Sequence, residues 1–258
     1  MATETDSDRL SRVTQELQTS EAFRVQSRFE ILENSYYIFY RNSDGLLRLL
    51  DGPGEEYAFF VAKMMGSYEL SVWVMREFMR RLHNFCASAM TLVEHIRPLI
   101  RKKWYADTAL CKEYDARISR DFENDGLHHF VQDLRNYVLH NTTPPTGLHV
   151  AWKWSQDSAR FDLRFTLGRD QLLQWNRWDH NSRAFIGQLE ADIEVNGLVR
   201  GYTEKVRDLQ IWLYRRMEHD HSTELAYVAA MQEEIRQLHE KVFGPDIPVR
   251  SGTINGAT

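Results

Sequence analysis

Apolar side chains recur at every third or fourth position through much of the chain, which is the spacing of one face of an α-helix. The longest series runs from Leu70 to Ile96 and predicts one long helix. Pro98 should kink or end this helix, because proline lacks a helical donor and clashes with the preceding turn. The same spacing predicts further helices, which cover about 21–40, 107–120, 182–197 and 202–218.

Turn and cap residues separate some of these helices. The sequence Asn42-Ser43-Asp44-Gly45 predicts a turn, and Asp51-Gly52-Pro53-Gly54 predicts a second break. Asp125 is placed to cap a helix over Leu127–His140, since its carboxylate can accept from the free amide groups of the first turn. The run Asn141-Thr142-Thr143-Pro144-Pro145 should end that helix.

The periodicity changes after this helix. In residues 148–154 larger apolar side chains alternate with small or polar ones, and residues 161–167 alternate cleanly. Residues 155–159 form a polar connector between the two runs. This pattern predicts an antiparallel β-hairpin over about 148–167 with one buried face.

Near the C-terminus, apolar residues are spaced alternately by three and four positions, as in a coiled-coil seam. The seam is shorter than the three to four heptads that a coiled-coil prediction needs. It is therefore more typical of a packing face inside the molecule than of a dimer zipper. Its members are Val228, Met231, Ile235, Leu238 and Val242.

Together these elements predict a mainly α fold, a helical bundle with the hairpin appended. Residues 1–19 are polar and are predicted to be a flexible N-terminus. Residues 20–244 are predicted to form a single helical domain that includes the hairpin. Residues 245–258, which are rich in Gly, Ser and Thr, are predicted to be a flexible tail.

Composition narrows the classes of function. The formal net charge is -5, from 32 basic and 37 acidic residues, whereas a protein that coats nucleic acid is strongly basic. Two cysteines are too few for a disulfide framework and fit a reducing compartment. The polar N-terminus does not resemble a signal peptide, and the most apolar stretches are shorter than a membrane helix requires. These features predict a cytoplasmic protein that is not inserted in a membrane.

Chemically active side chains gather on the predicted helix that ends at His140. His129, Asp133, Asn136 and His140 follow one another as a polar stripe, opposite the apolar face. Arg135 lies beside this stripe, on the edge away from Asn136 and His140. A regular isolated helix therefore does not bring Arg135 onto His140. Either the end of the helix distorts, or a second copy of the chain supplies the partner.

The segment Arg135-Asn136-Tyr137-Val138-Leu139-His140 resembles the Arg-(Asn/Asp/His)-x3-His motif of the HEPN superfamily. That superfamily consists of compact helical bundles, many of which are metal-independent ribonucleases of toxin–antitoxin or antiviral defence systems. The resemblance implies an RNA substrate, a homodimer, an antitoxin-like protein partner and no cofactor or metal. It also implies that Arg135, Asn136 and His140 are catalytic.

The residue types suit RNA cleavage. The 2′-hydroxyl of RNA can attack the adjacent phosphate, and an imidazole can take or give the proton near neutral pH. A guanidinium can fork onto the phosphate oxygens and offset the charge that builds in the transition state. We expect His140 to do the acid–base work, Arg135 to hold the phosphate and Asn136 to orient them. His129, Asp133 and Tyr137 are secondary candidates for substrate contacts.

Structural roles for the same residues remain open. Arg135 can pair with Asp133 or Glu123, and His140 can bind the last carbonyl groups of its helix. His129, Asp133 and His140 can also be read as ligands of zinc or manganese, although a fourth ligand is not apparent. With these roles, the chain would be a non-catalytic helical module for protein interaction.

Overall fold

The chain folds into helices and one small antiparallel sheet, which confirms the predicted mainly α class. A computed structural model describes residues 4–51, 63, 66–155 and 158–244. The helices are α1 (Asp6–Thr19), α2 (Glu21–Asp51), α3 (Tyr68–Pro98), α4 (Ala109–Ile118), α5 (Gly126–His140), α6 (Arg169–Leu173), α7 (His180–Gln188), α8 (Val195–Asp220) and α9 (Ser222–Phe243). The strands are β1 (Thr146–Ser155), β2 (Ser158–Gly168) and β3 (Asp192–Glu194).

The contacts divide the chain into two compact units. The first unit joins the residues up to Leu32 with those from Tyr214 onward, and the second comprises Glu33–Leu213. The predicted tail at 245–258 and the predicted break at 52–54 lie outside the described residues.

In the first unit, α1 packs on α9. The sequence predicts a flexible segment over 1–19, whereas the structure has a helix over Asp6–Thr19, capped by the Thr5 side chain. Val13 and Leu17 of α1 are buried, and α9 covers them with part of the heptad seam. The seam is thus a packing face inside the molecule, as predicted. Its buried members are Val228, Met231 and Leu238, and Ile235 is partly buried beside them.

Helix α2 continues through the predicted turn at 42–45, so that prediction is wrong. Leu46 and Leu50 follow the turn residues and are buried, which extends the apolar face of the helix by two turns. Ser43 Oγ donates to the Phe39 carbonyl inside the helix, which satisfies its hydroxyl without breaking the backbone pattern.

Helix α3 extends two residues beyond each end of the predicted apolar series, and its α-helical part ends at Pro98, the residue predicted to kink or end it. A π-helical turn, Leu99–Trp104, follows it, and a second one, Ser119–Glu123, follows α4. Aromatic side chains from three helices of the second unit meet in its core. The rings of Phe39, Phe85 and Tyr202 lie 5.9–6.1 Å apart, centroid to centroid.

The predicted hairpin is confirmed, and a third strand extends it. Strands β1 and β2 pair antiparallel from Thr146↔Leu167 to Ser155↔Ser158, and β3 pairs with the end of β2. The predicted helix at 182–197 is wrong in its second half, because α7 ends at Gln188 and β3 precedes α8. The Phe165 ring stacks on Phe78 of α3 at 4.6 Å, so the buried face of the sheet packs on that helix.

In the described part of the chain, no helix is both long and apolar enough to cross a bilayer.

Candidate functional site

Helix α5 carries the polar stripe, and its start is set as the sequence predicts. Asp125 Oδ1 accepts from the His128 amide at 2.8 Å, which caps the first turn. The helix is regular to its last residue, where the Asn141 amide donates to the Tyr137 carbonyl at 2.9 Å. His140 therefore lies in an undistorted last turn.

The apolar face of α5 packs inside the second unit. Phe130, Val131, Leu134 and Tyr137 are buried along this face. The Tyr137 ring stacks on Trp178 at 5.7 Å and meets the edge of Trp175 at 5.2 Å. Tyr137 is only 5% exposed, so this secondary candidate has a packing role and no surface for substrate.

The first half of the stripe is engaged in structural contacts. His129 Nδ1 lies 2.6 Å from Asp179 Oδ2, and its Nε2 lies 2.8 Å from the Glu123 carbonyl. Partial burial lowers the pKa of His129, but the hydrogen bonds to Glu123 and Asp179 outweigh it, and the pKa is raised. Asp133 Oδ2 accepts from the Asp179 amide at 2.8 Å. His129 and Asp133 thus tie α5 to the start of α7.

The three motif residues nearer the end of α5, which are Arg135, Asn136 and His140, are not engaged in this way. Arg135 Nη1 donates to Asn136 Oδ1 at 3.2 Å, and both side chains are half-buried. His140 is exposed. Within the described residues, neither Arg135 nor His140 has a carboxylate partner, so the alternative pairing of Arg135 with Asp133 or Glu123 is not found. Three polar side chains at the end of α5 are therefore available to a ligand.

Arg135 and His140 leave α5 in different directions. Five residues of regular helix separate them by about 140° around the axis and about 7.5 Å along it. Because the helix does not distort at His140, one copy of α5 does not bring the guanidinium and the imidazole together.

A metal site is not formed near the polar stripe or elsewhere in the described residues. In the part of the chain that the structure describes, no three His, Cys, Asp or Glu side chains are grouped to hold a metal ion. Two of the three residues that the alternative metal reading names, His129 and Asp133, are instead bound to Asp179.

Asp179 is the residue of this region that sequence reasoning missed. It caps α7, with its Oδ1 accepting from the Ser182 amide at 2.6 Å, and its other groups hold His129 and Asp133. The cap itself was visible, since an Asp before a predicted helix is a typical start signal. Its contacts with α5 were not, because they join positions that lie far apart in the chain.

No family model, curated protein or solved structure matches this chain.

Proposed function

We propose that the protein is a HEPN-like, metal-independent endoribonuclease of the kind found in defence or toxin–antitoxin systems. One observation carries the proposal. On α5, the three residues of the Arg-Asn-x3-His motif are not used for packing or for ion pairs among the described residues, whereas His129 and Asp133 of the polar stripe are tied to Asp179. The Arg135 guanidinium and the exposed His140 imidazole therefore keep N–H groups that no carboxylate among the described residues occupies.

The chemistry needs two groups. The His140 imidazole takes the proton of the RNA 2′-hydroxyl while the 2′-oxygen forms a bond to the adjacent phosphorus. The bond from phosphorus to the 5′-oxygen breaks, and that oxygen takes a proton from solvent, leaving a 2′,3′-cyclic phosphate and a 5′-hydroxyl. Arg135 donates to the phosphate oxygens as their charge rises, and Asn136 orients the guanidinium to which it is hydrogen-bonded.

The active form in this proposal is a homodimer in which two α5 helices face each other. A second copy places its His140 opposite Arg135, which a single regular helix does not do. An antitoxin-like protein would act by covering this surface, and a cytoplasmic location gives the enzyme access to RNA. The alternative of a non-catalytic interaction module loses one support, because the heptad seam is already covered by α1.

The test is an RNA-cleavage assay on the full chain with a chelator present. His140→Ala and Arg135→Ala should each lower the cleavage rate by at least about 100-fold, since each removes a group that acts in the transition state. His219→Ala and Arg215→Ala are matched controls, because both side chains are exposed and both belong to α8 instead of α5. Neither control should change the rate.

Two results would contradict the proposal. One is wild-type protein that leaves structured and unstructured RNAs intact at micromolar concentration. The other is cleavage that persists in His140→Ala, which would indicate a contaminating nuclease or a different site. Thermal melting of each variant separates loss of chemistry from loss of the fold.

A further inference from the structure

In the second unit, the last part of α2 and the middle of α3 line an open groove of about 320 Å³. Four arginines line it, two from each helix. Arg41 and Arg48 are seven residues apart on α2, and Arg80 and Arg81 are consecutive on α3. The groove shares no residue with the α5 motif, so a role for it does not depend on the proposed function.

Positive charge in the groove exceeds negative charge. Asp44 pairs with Arg48, with Asp44 Oδ2 3.0 Å from Arg48 Nε. Glu77 pairs with both Arg80 and Arg81. The four arginines of the groove thus carry four positive charges, and the two carboxylates paired with them carry two negative charges. Among the described residues, this leaves an excess of two positive charges.

Glu77 holds its two arginines in place. Its carboxylate accepts hydrogen bonds from Nε and Nη2 of Arg80, at 2.8 and 2.7 Å, and from Nε of Arg81 at 2.6 Å. The pKa of Glu77 is lowered to about 2, chiefly by the hydrogen bond from Arg80. Burial opposes this shift, and the hydrogen bond from Arg81 adds to it. The Glu77 carboxylate is thus ionised at any physiological pH, and its ion pairs with Arg80 and Arg81 persist. Arg81 also donates to the Gly45 carbonyl, so its guanidinium is fixed from both helices.

Donors remain free after these bonds. Arg41 has no partner within the described residues, so all of its N–H groups can be offered to a ligand. Arg48 uses Nε for Asp44, while its side chain is 75% exposed and its other two nitrogens have no partner among the described residues. Asn84, which also lines the groove, adds an amide with no partner among the described residues.

Gly45 keeps the groove open. It lies inside α2, where glycine is a poor helix former, and a Cβ added there would meet no atom within 4 Å. Packing therefore does not require glycine at this position. Because Gly45 is part of the groove lining, a larger side chain would project into the space a ligand needs.

We propose that this groove binds a phosphate-bearing anion with two or more negative charges. Guanidiniums match the oxygens of a phosphate with paired hydrogen bonds, and two that are already fixed lose little entropy on binding. The volume suits a diphosphate or triphosphate group, either free or at the end of an RNA chain. The shared chemistry is the phosphate chain.

The first experiment is calorimetric titration of the full chain with inorganic pyrophosphate at low ionic strength. Arg41→Gln and Arg48→Gln should each weaken binding about tenfold, because each removes a charge-assisted hydrogen bond. Arg215→Gln, which removes an exposed arginine of α8, is the matched control and should leave the affinity unchanged. Raising the salt from about 50 to about 200 mM should weaken binding by wild type.

A second variant blocks the groove without removing charge. Gly45→Leu should weaken pyrophosphate binding about tenfold or more while the melting temperature stays equal or rises, because leucine favours the helix. This outcome separates occlusion of the groove from unfolding.

The source of the phosphate is identified by a competition arm. Short RNAs that differ only in a 5′-triphosphate or a 5′-hydroxyl end are compared with free nucleoside triphosphate. If the RNA with a 5′-triphosphate binds more tightly than both the 5′-hydroxyl RNA and the free nucleoside triphosphate, the source of the phosphate is an RNA end. If it binds no more tightly than the free nucleoside triphosphate, the source is a free nucleotide. Absence of pyrophosphate binding, or binding that Arg41→Gln, Arg48→Gln and Gly45→Leu all leave unchanged, overturns the proposal.

Discussion

His128 and His129 are neighbours in the chain and have opposite protonation behaviour. His128 is 8% exposed, and its ring stacks parallel to Tyr202. The Gln132 amide donates to His128 Nε2 at 2.8 Å, which requires that nitrogen to be an unprotonated acceptor. Burial, with a smaller effect of His129, lowers the pKa of His128 to about 4, whereas the pKa of His129 is raised.

The pKa of His128 makes stability depend on pH. The unfolded chain takes up a proton on this imidazole below about pH 6.5, and the folded chain does not until about pH 4. The free energy of unfolding should therefore fall by about 3 kcal/mol as the pH drops through this window. Of the charged groups around the ring, Asp125 works against this effect, and Arg97 and Lys205 add to it.

Urea denaturation at pH 7.5, 5.5 and 4.5 measures the effect, with His128→Gln as the comparison. The variant lacks the titrating group, so its stability should vary less steeply than that of wild type over the same window. Parallel pH profiles for the two proteins would show that His128 is not the group responsible.

At the scale of elements, local signals predicted the helices whose ends carry caps or prolines. Asp125 and Pro98 mark the ends of α5 and α3 in the sequence, and the structure agrees. The predicted turn at 42–45 failed because burial of Leu46 and Leu50 outweighs the weak helix propensity of Asn, Ser, Asp and Gly. Strand β3 has only three residues and pairs with the end of β2, more than twenty residues earlier in the chain. Its sequence therefore carries no local pattern that predicts a strand.

Helix α1 was hidden in the sequence for a similar reason. Its few apolar residues are stable in a helix only when α9, more than two hundred residues later, covers them. Leu17→Ala should therefore lower the free energy of unfolding by about 2–5 kcal/mol, as for other buried leucines. Gln18→Ala, at an exposed position of the same helix, should change it by less than about 0.5 kcal/mol.

Hydrogen exchange locates this effect. Leu17→Ala should speed exchange of the α9 amides that face α1, around Met231 and Leu238, and Gln18→Ala should not. If the N-terminus behaves as the flexible segment that its composition predicts, both variants will match wild type in stability and in exchange.

At the scale of the whole molecule, the sequence was enough to find the motif but not to show how its groups are used. The spacing of Arg135 and His140 is visible in the sequence, whereas the engagement of His129 and Asp133 by Asp179 depends on tertiary contacts. The arginine groove depends on α2 continuing through Gly45 and on its alignment with α3. Both features needed the folded chain, because they join residues from different elements.

The regular end of α5 leads to the last prediction, which concerns the assembly. If Arg135 of one copy works with His140 of its partner, a mixed dimer of Arg135→Ala and His140→Ala chains keeps one intact pair. Random exchange makes half of the dimers mixed, and each carries one of two pairs, so the mixture should regain about a quarter of wild-type RNA cleavage. Each variant alone should stay inactive. The measurement is cleavage by co-refolded or co-expressed chains, with light scattering to establish that they are dimers. A mixture as inactive as its two parents, or a chain that is monomeric at micromolar concentration, would mean that the two residues do not meet across an interface.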